Sequence, residues 1–291
     1  FTPVRADVRN IAAAHLEGID AVIDMAALSN DPAGELDPAL TRAINYEARR
    51  RLAKMAKRAG VERYLLMSSC SVYGDTGEST VDETAEVGPL TTYAQCNRLA
   101  EEAILPLAGD GFVPLAFRNA TVFGVSPRMR FDLAVNLMTL NAVRESRIIV
   151  MGGGRQWRPF VHVRDVARAA LLALEAPAGE VSGEVFNIGH GNLQIRPLAY
   201  IVRENLPFMV EVAMAPDDPD RRNYRVDFSK AREHLGFTAE FSPADGVREV
   251  YEALKRGEVD EEPQTHTVRW YQALLDAERL VREVSLEGRL L

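Results

Sequence analysis

Short apolar runs alternate with segments of helical spacing through the first half of the chain. Ala21-Val22-Ile23-Asp24-Met25-Ala26-Ala27 predicts a strand buried on both faces of a parallel sheet. From Pro38 to Ala59, apolar residues recur at Leu40, Ala43, Ile44, Ala48, Leu52, Met55 and Ala56, which predicts a helix with Gly60 as its left-handed C-terminal residue. Arg63 to Ser68 predicts the next strand, Tyr93 to Ala108 a helix with Leu99, Ala100, Ala103, Ile104 and Leu107 on one face, and Val113 to Arg118 another strand. Val4 to Val8 reads as the end of a strand. Strands alternating with helices predict βαβ units and a doubly wound parallel sheet.

After about residue 124 the pattern loosens. Glycine, proline and arginine become denser, as in Gly152-Gly153-Gly154-Arg155-Gln156-Trp157-Arg158-Pro159. Helices are expected at Asp165–Glu175, Pro197–Asn205 and, as a solvated amphipathic helix, Thr267–Glu283. The expected fold class is α/β: a Rossmann-type sheet, residues 1–124, with a smaller α/β substrate lobe, residues 125–291, interleaved with it.

Composition narrows the function classes. The chain has 291 residues, 47% hydrophobic and 26% charged, which excludes wholesale disorder. A formal net charge of −8 argues against nucleic acid or an anionic membrane as the main partner. No apolar run reaches the roughly 18 residues needed to span a bilayer, and Phe1-Thr-Pro-Val-Arg has no leader-like pattern. Two cysteines, Cys70 and Cys96, cannot form a disulfide framework, so a cytoplasmic location is expected. They read as buried packing residues. No His/Cys/Asp/Glu cluster has metal-ligand spacing.

Two constellations carry chemistry. Ser68-Ser69-Cys70-Ser71-Val72-Tyr73-Gly74 follows a predicted strand, at the edge where open α/β sheets bind ligands. Tyr93-Ala94-Gln95-Cys96-Asn97 opens a helix and sets Tyr93 and Asn97 on one face. A phenol has an unperturbed pKa near 10, so Tyr93 needs a neighbouring cation to act as a base near neutral pH.

Together these segments resemble the extended short-chain dehydrogenase/reductase family, the nucleotide-sugar epimerases and dehydratases, over almost the whole chain. The resemblance implies Ser69 and Tyr93 as catalytic residues, with Asn97 where the family has the lysine of Tyr-x-x-x-Lys. It implies cofactor contacts from Asp7 and Val8, from Met25, Ala26 and Ala27, from Asn45 behind the site, and from Ser68, Tyr93, Asn97 and Asn119. On the substrate side it implies Ser29, Ser71, Thr121, Asn136, Arg158 and Arg222, the two arginines holding a diphosphate through their planar forks. His162 and Asp165, in Arg158-Pro159-Phe160-Val161-His162-Val163-Arg164-Asp165, are expected to be structural. The cofactor implied is NAD, with NADP as the alternative. The partner is a nucleotide-diphosphate sugar, and the assembly a homodimer through a four-helix bundle built from residues 38–59 and 93–108.

Three departures qualify the resemblance. The family's G-x-x-G-x-x-G loop does not occur here. By the family layout it belongs to a βαβ unit of roughly 50 residues ahead of Phe1. Asn97 carries no charge, which raises the alternative of an impaired cofactor- or sugar-binding protein. Cys70 and Ser71 stand where the dehydratases place Asp-Glu, which argues for an epimerase, or alternatively a ketoreductase, over a 4,6-dehydratase.

Overall fold

The computed structural model describes residues 2–216, 220, 222–286 and 289–290. Its centre is a parallel sheet of four strands in the spatial order Ala21–Asp24, Arg63–Ser69, Val113–Asn119, Val185–Ile188. The longest ladder runs in register from Arg63 opposite Val113 to Ser69 opposite Asn119. Parallel neighbours require crossovers. Helices supply them: Pro38–Ala59 after the first strand, Thr92–Ile104 after the second, Val163–Glu175 before the fourth.

Strand periodicity sends alternate side chains to opposite faces. Tyr64, Leu66 and Ala116 pack with Leu52, Ala53, Ala56, Ala100 and Ile104 on one side. Leu65, Leu115, Phe117, Phe186 and Ile188 pack with Ala169 and Ala173 on the other. The result is a three-layer α/β/α unit with both sheet faces covered. A separate core of Phe123, Val135, Met138, Ile148, Phe160, Leu198, Val202 and Val247 builds the smaller lobe. The two are interleaved. Val185–Ile188 returns to the central sheet, and Asp75–Val81 leaves it to pair with Asn223–Val226.

Two expectations are corrected. Residues 4–8 are not a strand. Asp7 instead caps a short 3₁₀ turn, Val8–Asn10, by accepting the Arg9 amide at 2.8 Å, and it pairs with the Arg9 guanidinium at 2.6 Å. A local partner two residues away outcompetes any ladder. The strand at residue 21 ends at Asp24 and lies at the sheet's edge among the described residues, so it is not buried on both faces. Ile23 is 37% and Met25 70% exposed.

The other predicted elements form within a few residues of their expected bounds. Gly60 sits at φ 82 after Arg49–Ala59, as the left-handed cap requires. Residues 38–59 are continuous, but Ala43–Ala48 winds as a π-helical turn, which sequence periodicity did not foresee. The Thr267–Val284 helix buries only Thr267 among its residues. No helix among the described residues is long and apolar enough to cross a membrane.

Gly124 joins the two lobes at φ +106, and a Cβ there would lie 2.3 Å from His162 Nε2. The His162 ring is fixed by Glu249 at 2.8 Å and cannot retreat. Gly124→Ala is therefore expected to cost roughly 2–4 kcal/mol, from backbone strain plus overpacking. Denaturant unfolding monitored by circular dichroism checks this, and an unchanged midpoint would contradict it.

Candidate active site

Ser69 ends its strand at the carboxyl edge of the sheet and caps the turn Cys70–Tyr73, accepting the Ser71 amide at 3.2 Å. Thr91 caps the Thr92–Ile104 helix, accepting the Ala94 amide at 3.2 Å, and donates to Asp31 at 2.5 Å. Tyr93 thus leaves the first turn of a firmly anchored helix, with Asn97 one turn below. Both strand and helix open onto a cleft of about 640 Å³.

The cleft gathers Met25, Ala27, Ser29, Ser68, Ser69, Ser71, Tyr93, Asn119, Thr121, Asn136, Arg158 and Arg222 from the expected set. Asn45 and Asn97 are fully buried and are not part of its lining. Asp7, Val8 and Ala26 do not line it either. Asn45 holds the loop leading to Ser29, accepting the Leu28 amide at 2.8 Å and donating to the Leu28 carbonyl at 3.1 Å. Asn136 holds the joint between the lobes, accepting the Gly124 amide at 3.1 Å and donating to the Arg130 carbonyl at 3.1 Å. His162, bonded to Glu249, and Asp165, which accepts the Glu240 and Phe241 amides, are structural. Cys70 and Cys96 are buried and free, and burial pushes the Cys70 thiol well above its usual range.

Burial raises the Tyr93 phenol above its usual pKa, and the charge of Asp31 adds to this. The side chains of Asn97 and Ser69, and the charge of Arg49, pull it back down. On the cleft-lining residues Ser71 and Asn119, Oγ and Oδ1 are buried without a hydrogen-bond partner, as is Nδ2 of the buried Asn97. Buried polar groups are rarely left unmatched. Donors and acceptors at these positions fit a bound group carrying amide and hydroxyl functions, such as the nicotinamide half of a dinucleotide beside a sugar.

Sequence reasoning missed the charged groups around this wall. Arg49, from the helix behind, is fully buried. It donates to Asp24 Oδ2 at 3.1 Å, to Asn97 Oδ1 at 3.1 Å, and to the carbonyls of Asp24 and Met67 at 3.1 and 2.7 Å. Tyr64 donates to the same Asp24 oxygen at 2.7 Å, and burial holds its phenol protonated. The spacing of Arg49 four residues after Asn45 was the one available signal, and it was masked by the run Arg49-Arg50-Arg51, which reads as a solvated patch.

In the same cleft, Arg158 pairs with Asp220 at 2.9 Å, and Arg222 pairs with Asp220 at 2.6 Å and with Asp31. Against the cost of burial, the two guanidiniums hold the Asp220 carboxyl well below the usual range. The two expected phosphate ligands are therefore brought together, each already clasped by a carboxylate. Arg130 completes the rim, donating to Ser29 Oγ at 2.9 Å and pairing with Asp132 at 2.8 Å.

Ser68 needs the clearest qualification. Its hydroxyl donates to Glu101 at 2.5 Å, and Glu101 pairs with Arg118 at 2.7 Å. Arg118 in turn donates to the Tyr73 hydroxyl at 2.9 Å. The Ser68 side chain is thus committed to a buried network beneath the site.

Comparison with known proteins adds an independent line. The family model described as NAD dependent epimerase/dehydratase family matches residues 3–189. A putative UDP-glucose 4-epimerase of Methanocaldococcus jannaschii is 27% identical over 263 residues, covering 87% of this chain and 83% of that protein. UDP-glucuronic acid decarboxylase 2 of Arabidopsis thaliana is 29% identical over 241 residues, 79% of this chain, but the match spans only 52% of the plant protein. The structure of MoeE5 in complex with UDP-glucuronic acid and NAD superposes with a TM-score of 0.78 at 27% identity, covering 87% of this chain and 85% of that one.

Glu101 and Arg118 are 4% and 6% exposed. Removing one partner of such a pair strands a buried charge. Glu101→Gln is therefore expected to cost about 3–5 kcal/mol, and the apolar double replacement Glu101→Leu/Arg118→Met much less. Urea unfolding of the three proteins checks this, and equal losses in both variants would contradict it.

Proposed function

We propose, from the premise that this chain belongs to the NAD dependent epimerase/dehydratase family, that it epimerises a nucleotide-diphosphate sugar through a transient keto sugar. The observation that carries this reading is the presence of Tyr93, Ser69, Arg158 and Arg222 in the lining of one cleft. A base for a sugar hydroxyl and a grip for a diphosphate are the two things such a substrate needs.

Tyr93 accepts the proton of the sugar hydroxyl, and Ser69 hydrogen-bonds the same oxygen, steadying it as it becomes a carbonyl. Bound NAD supplies the hydride acceptor and donor. Asn119 and Ser71, which line the cleft, are assigned to its nicotinamide end and the sugar beside it. Arg158 and Arg222 take the diphosphate oxygens in exchange for the Asp220 carboxylate, with bidentate geometry matching either anion. Anchored only at the diphosphate, the keto sugar can turn its other face before Tyr93 returns the proton.

The reading extends to organisation. Residues 1–124 are assigned mainly to the dinucleotide and 125–291 mainly to the substrate. A homodimer through the helices of residues 38–59 and 93–108 is part of it, supported by their side-by-side packing. The two buried free cysteines suit a reducing cytoplasm.

The test is incubation with NAD and a panel of nucleotide-diphosphate sugars, with products identified by NMR. The expected product is an epimer of the same mass; a 4-keto-6-deoxy sugar or a net reduced sugar would overturn the epimerase assignment. Tyr93→Phe is expected to lower kcat at least about 100-fold. Because burial holds the phenol above its ordinary pKa, the wild-type rate should climb as pH rises towards that range. Arg158→Ala should raise KM roughly 10–100-fold, the loss of one charge-assisted contact, while leaving kcat within a few-fold.

A further inference from the structure

We infer that Arg49 is a positioning residue for the proton acceptor Tyr93. Its buried positive charge, carried from the neighbouring helix to within a hydrogen bond of Asn97, takes the place of a cation at position 97. The inference rests on the reading of Tyr93 as a base and deepens it.

A buried tyrosine with no cation nearby stays protonated. On the helix that carries Tyr93, the position one turn on is Asn97, which is neutral. The cation comes from elsewhere. Arg49 is 0% exposed, which arginine almost never is unless its charge is matched. Asp24 takes the Nε side of its guanidinium and Asn97 the Nη1 end, each at 3.1 Å.

The bond to Asn97 also fixes which way the amide points. Arginine only donates, so the Asn97 atom facing it must be the oxygen. The NH₂ group is thereby turned away from Arg49. That group is buried and has no hydrogen-bond partner in the protein, and Asn97 is among the groups that favour ionisation of Tyr93. An amide whose oxygen is held by a guanidinium is polarised and becomes a stronger donor at its nitrogen. Arg49 thus sets the direction of the Asn97 amide one helical turn from Tyr93, and its charge is among those that favour ionisation of the phenol.

The other charged groups around Tyr93 do not fill this role. Asp31, on the short helix beside it, opposes ionisation, and Asp31 is paired with Arg222. Glu35 accepts the Thr92 amide at 2.6 Å at the head of the helix and is also negative. Behind Arg49 stand Asp24 and Tyr64, the tyrosine donating to Asp24 at 2.7 Å. Among the described residues, Arg49 is the cation that favours ionisation of Tyr93. With it in place, the neutral residue at 97 does not by itself imply a silent enzyme, and adding a lysine there would place a second cation against a buried first one.

The test reads Tyr93 ionisation in the ligand-free protein, so it is independent of which sugar is used. Protein labelled with ¹³Cζ-tyrosine is titrated by NMR, with Tyr93 identified by its loss in Tyr93→Phe. The variants are Asp24→Asn/Arg49→Gln, which keeps a hydrogen-bonded pair but removes both charges, Arg49→Lys, which keeps the cation, and Asn97→Lys. At about pH 10 the phenolate fraction of Tyr93 should fall roughly tenfold in the neutral pair, equivalent to one pKa unit, and should be largely retained in Arg49→Lys. The alkaline rise of kcat should shift by the same amount. Asn97→Lys should lower the thermal midpoint and leave kcat no higher than in the parent. An unchanged Tyr93 titration in the neutral pair would overturn the proposal. So would an Asn97→Lys protein as stable as the parent and more active, a result that decides the matter even if the neutral pair does not fold.

Discussion

The buried ion pair between Arg49 and Asp24 ties four elements of the fold together. One guanidinium reaches the end of the edge strand through Asp24, the next strand through the Met67 carbonyl, and the Thr92–Ile104 helix through Asn97. Its own helix supplies the fourth element. Two charges at 0% exposure are costly to desolvate, and that cost is offset only if the geometry satisfies them. Here the carboxylate also accepts from Tyr64, and four of the arginine's five N–H donors are used. The pair therefore fixes the relative placement of the sheet's carboxyl edge and the helix that presents Tyr93. The site inherits its precision from that constraint.

The same logic of clasped charge recurs elsewhere in the cleft, with a different outcome. Arg158 and Arg222 are also paired, but with Asp220, whose side chain keeps 31% exposure. A pair near water can exchange one anion for another at small cost, whereas the sealed Arg49–Asp24 pair cannot. Arg222 is held by the buried Asp31 as well, so Asp220 is the replaceable partner of the two arginines, whereas the Arg49–Asp24 pair holds the Tyr93 side rigid. Below them the Ser68–Glu101–Arg118–Tyr73 chain joins strand, helix and turn in one buried network.

Much of the fold was legible because the central strands and their crossover helices carry their periodicities without interruption. Leu65 and Leu66 must face opposite sides of the sheet, and Gly60 must end its helix. Ser69 and Tyr93 were legible as a strand end and a helix start, places where side chains reach an open edge. The reading of Val4 to Val8 as a strand failed because Asp7 finds Arg9 two residues away. The reading of Ala21 to Ala27 as doubly buried failed because apolar composition does not say whether a strand is central or at an edge. Arg49 escaped because adjacent arginines look like a solvated patch, and the π turn of Ala43–Ala48 alters the helical phase just before it. Asp220 escaped for another reason: it lies 62 residues from Arg158, and only the interleaving of the lobes brings the two together.

The most direct measurement of the central claim is a crystal structure with NAD and a nucleotide-diphosphate sugar bound. The account predicts Tyr93 Oη and Ser69 Oγ both within about 3.2 Å of one sugar oxygen, and the diphosphate on Arg158 and Arg222 with Asp220 displaced. A sugar oxygen beyond the reach of Tyr93, or both arginines still clasped by Asp220 with the diphosphate held elsewhere, would contradict it.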